Sequence, residues 1–209
     1  MENMATTSYA TFQESPNSPN ETALIFSARQ GDLDAFNQLV LVYQERIYNL
    51  AVRILGDVFA AEDITQNTFL TAYLNLPRFR NGSFRCWLYR IATNACYDVY
   101  RLHKRHPVMS MENKNLAEEK VSPLDNFSGP SQLPEIELER HELARIVQHA
   151  LNRLDMDQRA VVILVDQQEF EYLEAAQVLG IPVGTVKSRL TRARMRLRQI
   201  LSVSLDSLP

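Results

Sequence analysis

Apolar residues three and four apart mark every patterned stretch of this chain, and no useful length of strand alternation interrupts them. Phe36, Leu39, Val40, Tyr43, Ile47, Leu50, Ala51 and Ile54 place one apolar face along a single helix. Asp32 stands where an N-cap belongs, and Gly56 suits the stop. The spacing predicts a second helix from about Ala60 to Leu74, ending before Pro77. It predicts a third from Ser83, the N-cap, to about His103. The fold class is therefore all-α.

A change of composition then divides the chain. Residues 106–134 hold Pro107, Pro123, Pro130 and Pro134, four of the nine prolines, among polar residues with little periodicity. Such a segment suits a flexible linker between domains better than a loop within one. Helical pattern resumes with Leu143, Val147, Ala150, Leu151 and Leu154. Asp157 is placed to cap a helix carrying Ala160, Val161, Ile163 and Leu164. A short helix from about Tyr172 to Leu179 and a last one from about Val183 to Leu201 complete a helix-turn-helix. Residues 1–20 are rich in Ser, Thr, Asn and Pro and lack Lys and Arg, the composition of a disordered tail. The expected boundaries are a tail over 1–23, an N-terminal domain of three or four helices over 24–105, a linker over 106–137, and a four-helix C-terminal domain over 138–203. An apolar content of 45% is enough for two small cores.

Charge is unevenly placed. The net charge is −3, yet no acidic residue occurs from Ala175 to Leu205, where Lys187, Arg189, Arg192, Arg194, Arg196 and Arg198 stand. A second basic stretch, Arg78 to Arg105, carries seven Lys and Arg against one acid, Asp98. Two basic patches suggest two contacts with one long polyanion, and DNA is the expected one. On the last helix, Val186, Leu190, Ala193, Leu197 and Leu201 form the stripe that docks on the domain. Lys187, Ser188, Thr191 and Arg198 point away from it, with Arg189, Arg192, Arg194 and Arg196 on the flanks. That is the geometry of a recognition helix, whose N-terminal half reaches base edges while neighbouring arginines bind phosphates. A basic helix that is merely solvated is the bland alternative.

The helix after Ser83 has a core face of Phe84, Leu88, Ile91, Ala92, Ala95, Val99 and Leu102. Around the helix from it runs a second stripe of Trp87, Arg90, Asn94, Tyr97 and Arg101. Two readings of this stripe are open. Its rings pack on another helix, or they stack on unpaired bases while the amide bonds a base edge and the arginines hold the backbone. The neighbouring loop Phe79-Arg80-Asn81-Gly82-Ser83-Phe84, also aromatic and basic, favours single strands. The preceding helix differs in character: Glu62, Asp63, Gln66 and Asn67 lie beside Phe69 and Tyr73. Such a face is either solvated or meets a basic protein partner.

Other chemistries find little support. Cys86 and Cys96, ten residues apart on one helix, would lie about 15 Å from each other and form no disulfide. They suit a reducing compartment. His103, His106, His141 and His149 show no metal spacing with either cysteine. No Gly-rich phosphate loop, nucleophile–base pair or carboxylate pair stands out, so neither a metal, a cofactor nor an enzyme is expected. With no signal sequence and no membrane-length apolar run, a cytoplasmic protein without membrane insertion is expected.

These segments together resemble the extracytoplasmic-function group of bacterial sigma factors over about residues 24–105 and 138–202. The resemblance rests on Ala61-Glu62-Asp63-Ile64-Thr65-Gln66-Asn67-Thr68-Phe69, Trp87-Leu88-Tyr89-Arg90-Ile91-Ala92-Thr93-Asn94 and Val183-Gly184-Thr185-Val186-Lys187-Ser188-Arg189-Leu190-Thr191-Arg192-Ala193-Arg194, in that order. It implies two helical domains on core RNA polymerase that recognise promoter DNA at −10 and −35 and promote its melting, and an anti-sigma factor as partner. Glu62, Asp63, Gln66 and Phe69 would contact core polymerase. Phe79, Arg80, Phe84, Trp87, Arg90, Asn94, Tyr97 and Arg101 would serve −10, with Asn94 and the 79–84 loop at a flipped base. Thr185, Lys187, Ser188, Arg189, Thr191, Arg192 and Arg194 would serve −35, Thr191 standing where the family often carries a ring. The rival, a helix-turn-helix repressor or response regulator, would need a dimer interface, a ligand domain or a strand bearing a phosphoacceptor Asp.

Overall fold

The computed structural model describes residues 19–80, 82–105 and 134–205. The predicted tail (up to residue 18) and nearly all of the predicted linker (106–133) lie outside them. The described residues contain eight α-helices and no strand: α1 Pro19–Arg29, α2 Leu33–Leu55, α3 Val58–Asn75, α4 Phe84–Arg105, α5 Pro134–Asn152, α6 Met156–Val162, α7 Tyr172–Leu179 and α8 Val183–Leu205. A 3-10 turn follows α3, and α6 continues into a π turn over Ile163–Gln167.

Local chemistry sets most boundaries. Asp32 accepts hydrogen bonds from the Asp34 and Ala35 amides, and Gly56 closes α2 in the left-handed region at φ 71°. Ser83 Oγ accepts from the Cys86 amide, as its N-cap position predicts. Glu171 and Glu174 form a capping box at α7, and Gly180 ends that helix at φ 65°.

Three expectations need correction. α1 occupies part of the predicted tail: Glu21, buried, accepts a 2.6 Å hydrogen bond from Tyr43 of α2, which anchors the helix. α5 begins at Pro134, inside the predicted linker, with proline at the first position where its missing N–H costs nothing. Asp157 is not a cap, because α6 starts at Met156 after Asp155.

In the N-terminal half, α1, α3 and α4 pack on α2; in the C-terminal half, α5, α6 and α7 pack on α8. Tyr43, Ile47 and Leu50 of α2, Ile64 of α3 and Leu88 and Ala92 of α4 fill the first core. Leu151, Ile163, Leu164, Ala175, Val186 and Leu190 fill the second. The halves are not separate: α4 packs on α7, and α2 packs on α5 and α6, so the two cores are continuous. This rotates the buried face of α4. Tyr89, Thr93 and Cys96 are buried, while Leu102, predicted to be core, is 56% exposed. Leu143 of α5 is exposed as well, and Ala144 is buried in its stead. Cys86 and Cys96 are free and buried. Burial pushes the Cys96 thiol up to about 12.

Candidate nucleic-acid interface

On α8, Val186, Leu190, Ala193 and Ile200 are buried, which turns Lys187, Ser188, Thr191 and Arg192 outward in one row. Ser188 Oγ donates to the Thr185 carbonyl at 3.1 Å and Thr191 Oγ1 to the Lys187 carbonyl at 3.0 Å. Each hydroxyl is thereby oriented along the helix with its lone pairs outward, ready to accept. Lys187 Nζ lies 5.7 Å from the centre of the exposed Tyr172 ring. Thr185 is half-buried.

Two of the expected −35 arginines are engaged within the chain. Arg189 Nη2 is 2.7 Å from Asp157 Oδ2. Arg194 meets Asp166 in a fork, Nε–Oδ2 at 3.0 Å and Nη2–Oδ1 at 2.5 Å, and that bond raises the guanidinium pKa further.

Along α4, Arg90, Asn94 and Arg101 are exposed, as is Arg80 in the preceding loop; Asn81 lies outside the described residues. Trp87 is half-buried, its ring 5.0 Å from Phe79 and 5.6 Å from Phe84. Phe79, Phe84 and Trp87 thus form one aromatic cluster that ties the loop to the first turn of α4. Phe84 is 2% exposed and packs edge-on against Tyr43. It supports the loop from beneath and cannot present its ring to a base. Tyr97, also expected at −10, donates from its hydroxyl to Asp157 Oδ1 at 2.9 Å. Arg101 pairs with Asp98 at 3.3 Å on the open surface and lies over the Tyr97 ring.

Glu62, Asp63 and Gln66 are exposed on α3. Phe69 is buried among core residues, so it supports this face and does not form it. The apolar part of the face comes from three exposed side chains: Phe59 at 68% exposure, Leu70 at 58% and Leu74 at 67%. Seen along α3, Phe59, Asp63, Gln66, Leu70 and Leu74 follow the 3-4 spacing of one helical stripe.

Sequence reasoning missed the residues joining the halves. Arg159 of α6 is buried and donates to the carbonyls of Ile54 at 2.5 Å, Asn152 at 2.8 Å and Leu154 at 3.2 Å. A cation here meets the carbonyl ends of α2 and α5. The signal for it was an arginine directly before the apolar run Ala160 to Val165. Phe170 is 2% exposed, its ring 4.7 Å from that of Tyr89, with the Arg85 guanidinium 3.9 Å from the ring centre. Among the described residues no group of His, Cys, Asp and Glu could hold a metal ion, and no helix is long and apolar enough to cross a membrane.

Residues 39–106 match the family model of Sigma-70 region 2, and residues 144–197 that of Sigma-70, region 4. The first span contains α4 and the second contains α8 as far as residue 197, so the two basic helices fall one in each. The chain is 37% identical over 178 residues to the sigma factor SigW of Bacillus subtilis (strain 168), covering 85% of this chain and 94% of SigW. It is 34% identical over 193 residues to SigE of Mycolicibacterium smegmatis, covering 90% and 70%. Among solved structures, CnrH in complex with the cytosolic domain of CnrY matches with a TM-score of 0.65 at 28% identity, over 88% of this chain and 98% of CnrH. The sigma factor RpoE in complex with the anti-sigma factor NepR, from Bartonella quintana, matches with a TM-score of 0.60 at 30% identity, over 82% and 99%. With one region model on each of the two basic helices and SigW matched over 94% of its length, this chain belongs to the extracytoplasmic-function group of RNA polymerase sigma factors.

Proposed function

We propose that this sigma factor divides promoter recognition between its two basic helices, with the stripe on α3 as the grip on core RNA polymerase. Lys187, Ser188, Thr191 and Arg192 of α8 meet the −35 duplex, hydroxyls and Lys187 toward base edges and Arg192 toward phosphate. Arg80, Trp87, Arg90, Asn94 and Arg101 meet the −10 strand after it leaves the stack. Opening is driven by trapping bases, which offsets roughly a few kcal/mol per flipped base. Asn94 is the residue suited to bond the edge of such a base, because its amide both donates and accepts. The acidic and apolar stripe of α3 repels DNA and suits a basic, partly apolar protein surface. The proposed work is binding, with no small-molecule turnover and a cytoplasmic location. CnrH and RpoE were solved with CnrY and NepR bound, and by analogy an anti-sigma factor is a partner of this chain.

The observation that carries the reading is the exposure of Arg90, Asn94 and Arg101 on α4 and of Lys187, Ser188, Thr191 and Arg192 on α8, within the two matched regions. The test is transcription with purified core enzyme on promoter templates. The full chain should co-elute with core enzyme and support initiation, and substitutions on α8 and on α4 should fail at different steps. Co-elution without initiation on any member of a promoter library would count against it.

A further inference from the structure

The outward row of α8 is short of acceptors. From Val183 to Arg198 the helix carries no Asp, Glu, Asn or Gln. Lys187 and Arg192, which flank the row, have side chains that only donate. Ser188 and Thr191 stand between them, both exposed, and their hydroxyls are the acceptors this row can offer. Each hydroxyl proton is already engaged within the helix, Ser188 on the Thr185 carbonyl at 3.1 Å and Thr191 on the Lys187 carbonyl at 3.0 Å. Lone pairs are what each oxygen has left to present. In the major groove, adenine N6 and cytosine N4 donate, while guanine O6 and thymine O4 accept. An oxygen whose proton is engaged meets the first two without rearrangement. To bond either of the others it must swing its proton off the helix carbonyl and lose that bond.

We propose that Ser188 and Thr191 read the −35 element as hydrogen-bond acceptors, each selecting adenine or cytosine over guanine or thymine on the strand it faces. Lys187 takes the complementary part and donates to guanine O6 and N7. This rests on the reading of α8 given above and adds to it the class of base that is held. A single acceptor does not distinguish one amino donor from another, so adenine and cytosine are interchangeable at these two positions. The wrong class costs one neutral hydrogen bond, which makes the discrimination modest, about three- to tenfold per position.

The test is selection from duplexes randomised over the −35 region, using core enzyme that carries the full chain. The wild type should show two positions at which A and C on one strand are interchangeable and G and T are disfavoured about three- to tenfold. Ser188→Ala should erase that preference at one position and Thr191→Val at the other, while Thr191→Ser keeps it. Both side chains are exposed, so each variant should retain the helix content of the wild type by circular dichroism. A duplex with purine in place of adenine at the Thr191 position lacks only the N6 amino group. It should bind the wild type about three- to tenfold more weakly than the adenine duplex, and Thr191→Val equally to it. Any pairing defect of the modified base is common to both proteins and cancels. Tolerance of purine by the wild type, or preferences that survive both hydroxyl variants, would overturn the proposal while selection altered by Lys187→Ala or Arg192→Ala upholds the α8 reading. If those two variants also leave every selected position unchanged, the α8 reading fails and the proposal fails with it.

Discussion

Tyr97 and Arg189, from opposite halves of the chain, share one carboxylate: Tyr97 Oη donates to Asp157 Oδ1 at 2.9 Å, and Arg189 Nη2 stands 2.7 Å from Asp157 Oδ2. Burial, then the bond to Asp157, holds the Tyr97 phenol well above its ordinary pKa. The phenol thus remains a donor throughout the neutral and mildly alkaline range. Removing that donor with Tyr97→Phe should cost about 0.5–1.5 kcal/mol in urea unfolding. An unchanged midpoint would contradict the contact.

Arg159 should be the most sensitive single position joining the halves. Burial lowers its pKa, and three carbonyls accept its protons in place of a carboxylate. Arg159→Met leaves those carbonyls without their donor and should cost roughly 2–4 kcal/mol in equilibrium unfolding. Arg159→Lys should recover only part of that, because an ammonium cannot fork between two helix ends. Full recovery by lysine would show that charge alone matters here.

The α3 stripe separates polymerase binding from stability. Phe59 and Asp63 are exposed, so Phe59→Ser with Asp63→Lys should leave the unfolding midpoint within about 0.5 kcal/mol. The same variant should bind core enzyme at least roughly tenfold more weakly. Undiminished affinity in a pull-down titration would move the polymerase contact elsewhere.

Both cysteines should resist alkylation in the folded chain. Burial raises the Cys86 thiol pKa and brings that of Cys96 to about 12, so neither offers thiolate near pH 8. The sign follows: a thiol raised on folding favours the folded chain below its unfolded pKa, and that contribution is lost as pH rises toward 12. Iodoacetamide at pH 8 should modify them only under denaturing conditions, read by intact mass. Rapid modification of the native chain would contradict their burial.

Caps were legible in the sequence because they are local: Asp32, Gly56 and Ser83 each act within four residues. So were the outward row of α8 and the exposure of Asn94, which follow from helical period once the apolar stripe is known. α1 was not, since its anchor is Glu21 on Tyr43, 22 residues away. The buried arc of α4 was misplaced for a related reason: Tyr89 and Thr93 are covered by the C-terminal half, and no pattern within α4 reveals a second neighbour. Phe69 and Phe84 were assigned to binding surfaces by motif, yet their rings fill the core beneath those surfaces. Asp157 offered a cap by type and position; its partners lie 60 residues upstream and on α8.

Transcription on paired templates measures the division of labour between α4 and α8 directly. Core enzyme carrying the wild-type chain, Asn94→Ala or Arg192→Ala is assayed on a duplex promoter and on the same promoter with the −10 region already open. Asn94→Ala should lose activity on the duplex and keep −35 binding, with part of the loss restored on the open template. Arg192→Ala should weaken −35 binding on both templates and lower the salt dependence by about one phosphate contact. Equal losses by Asn94→Ala on both templates, or unchanged −35 affinity for Arg192→Ala, would contradict it.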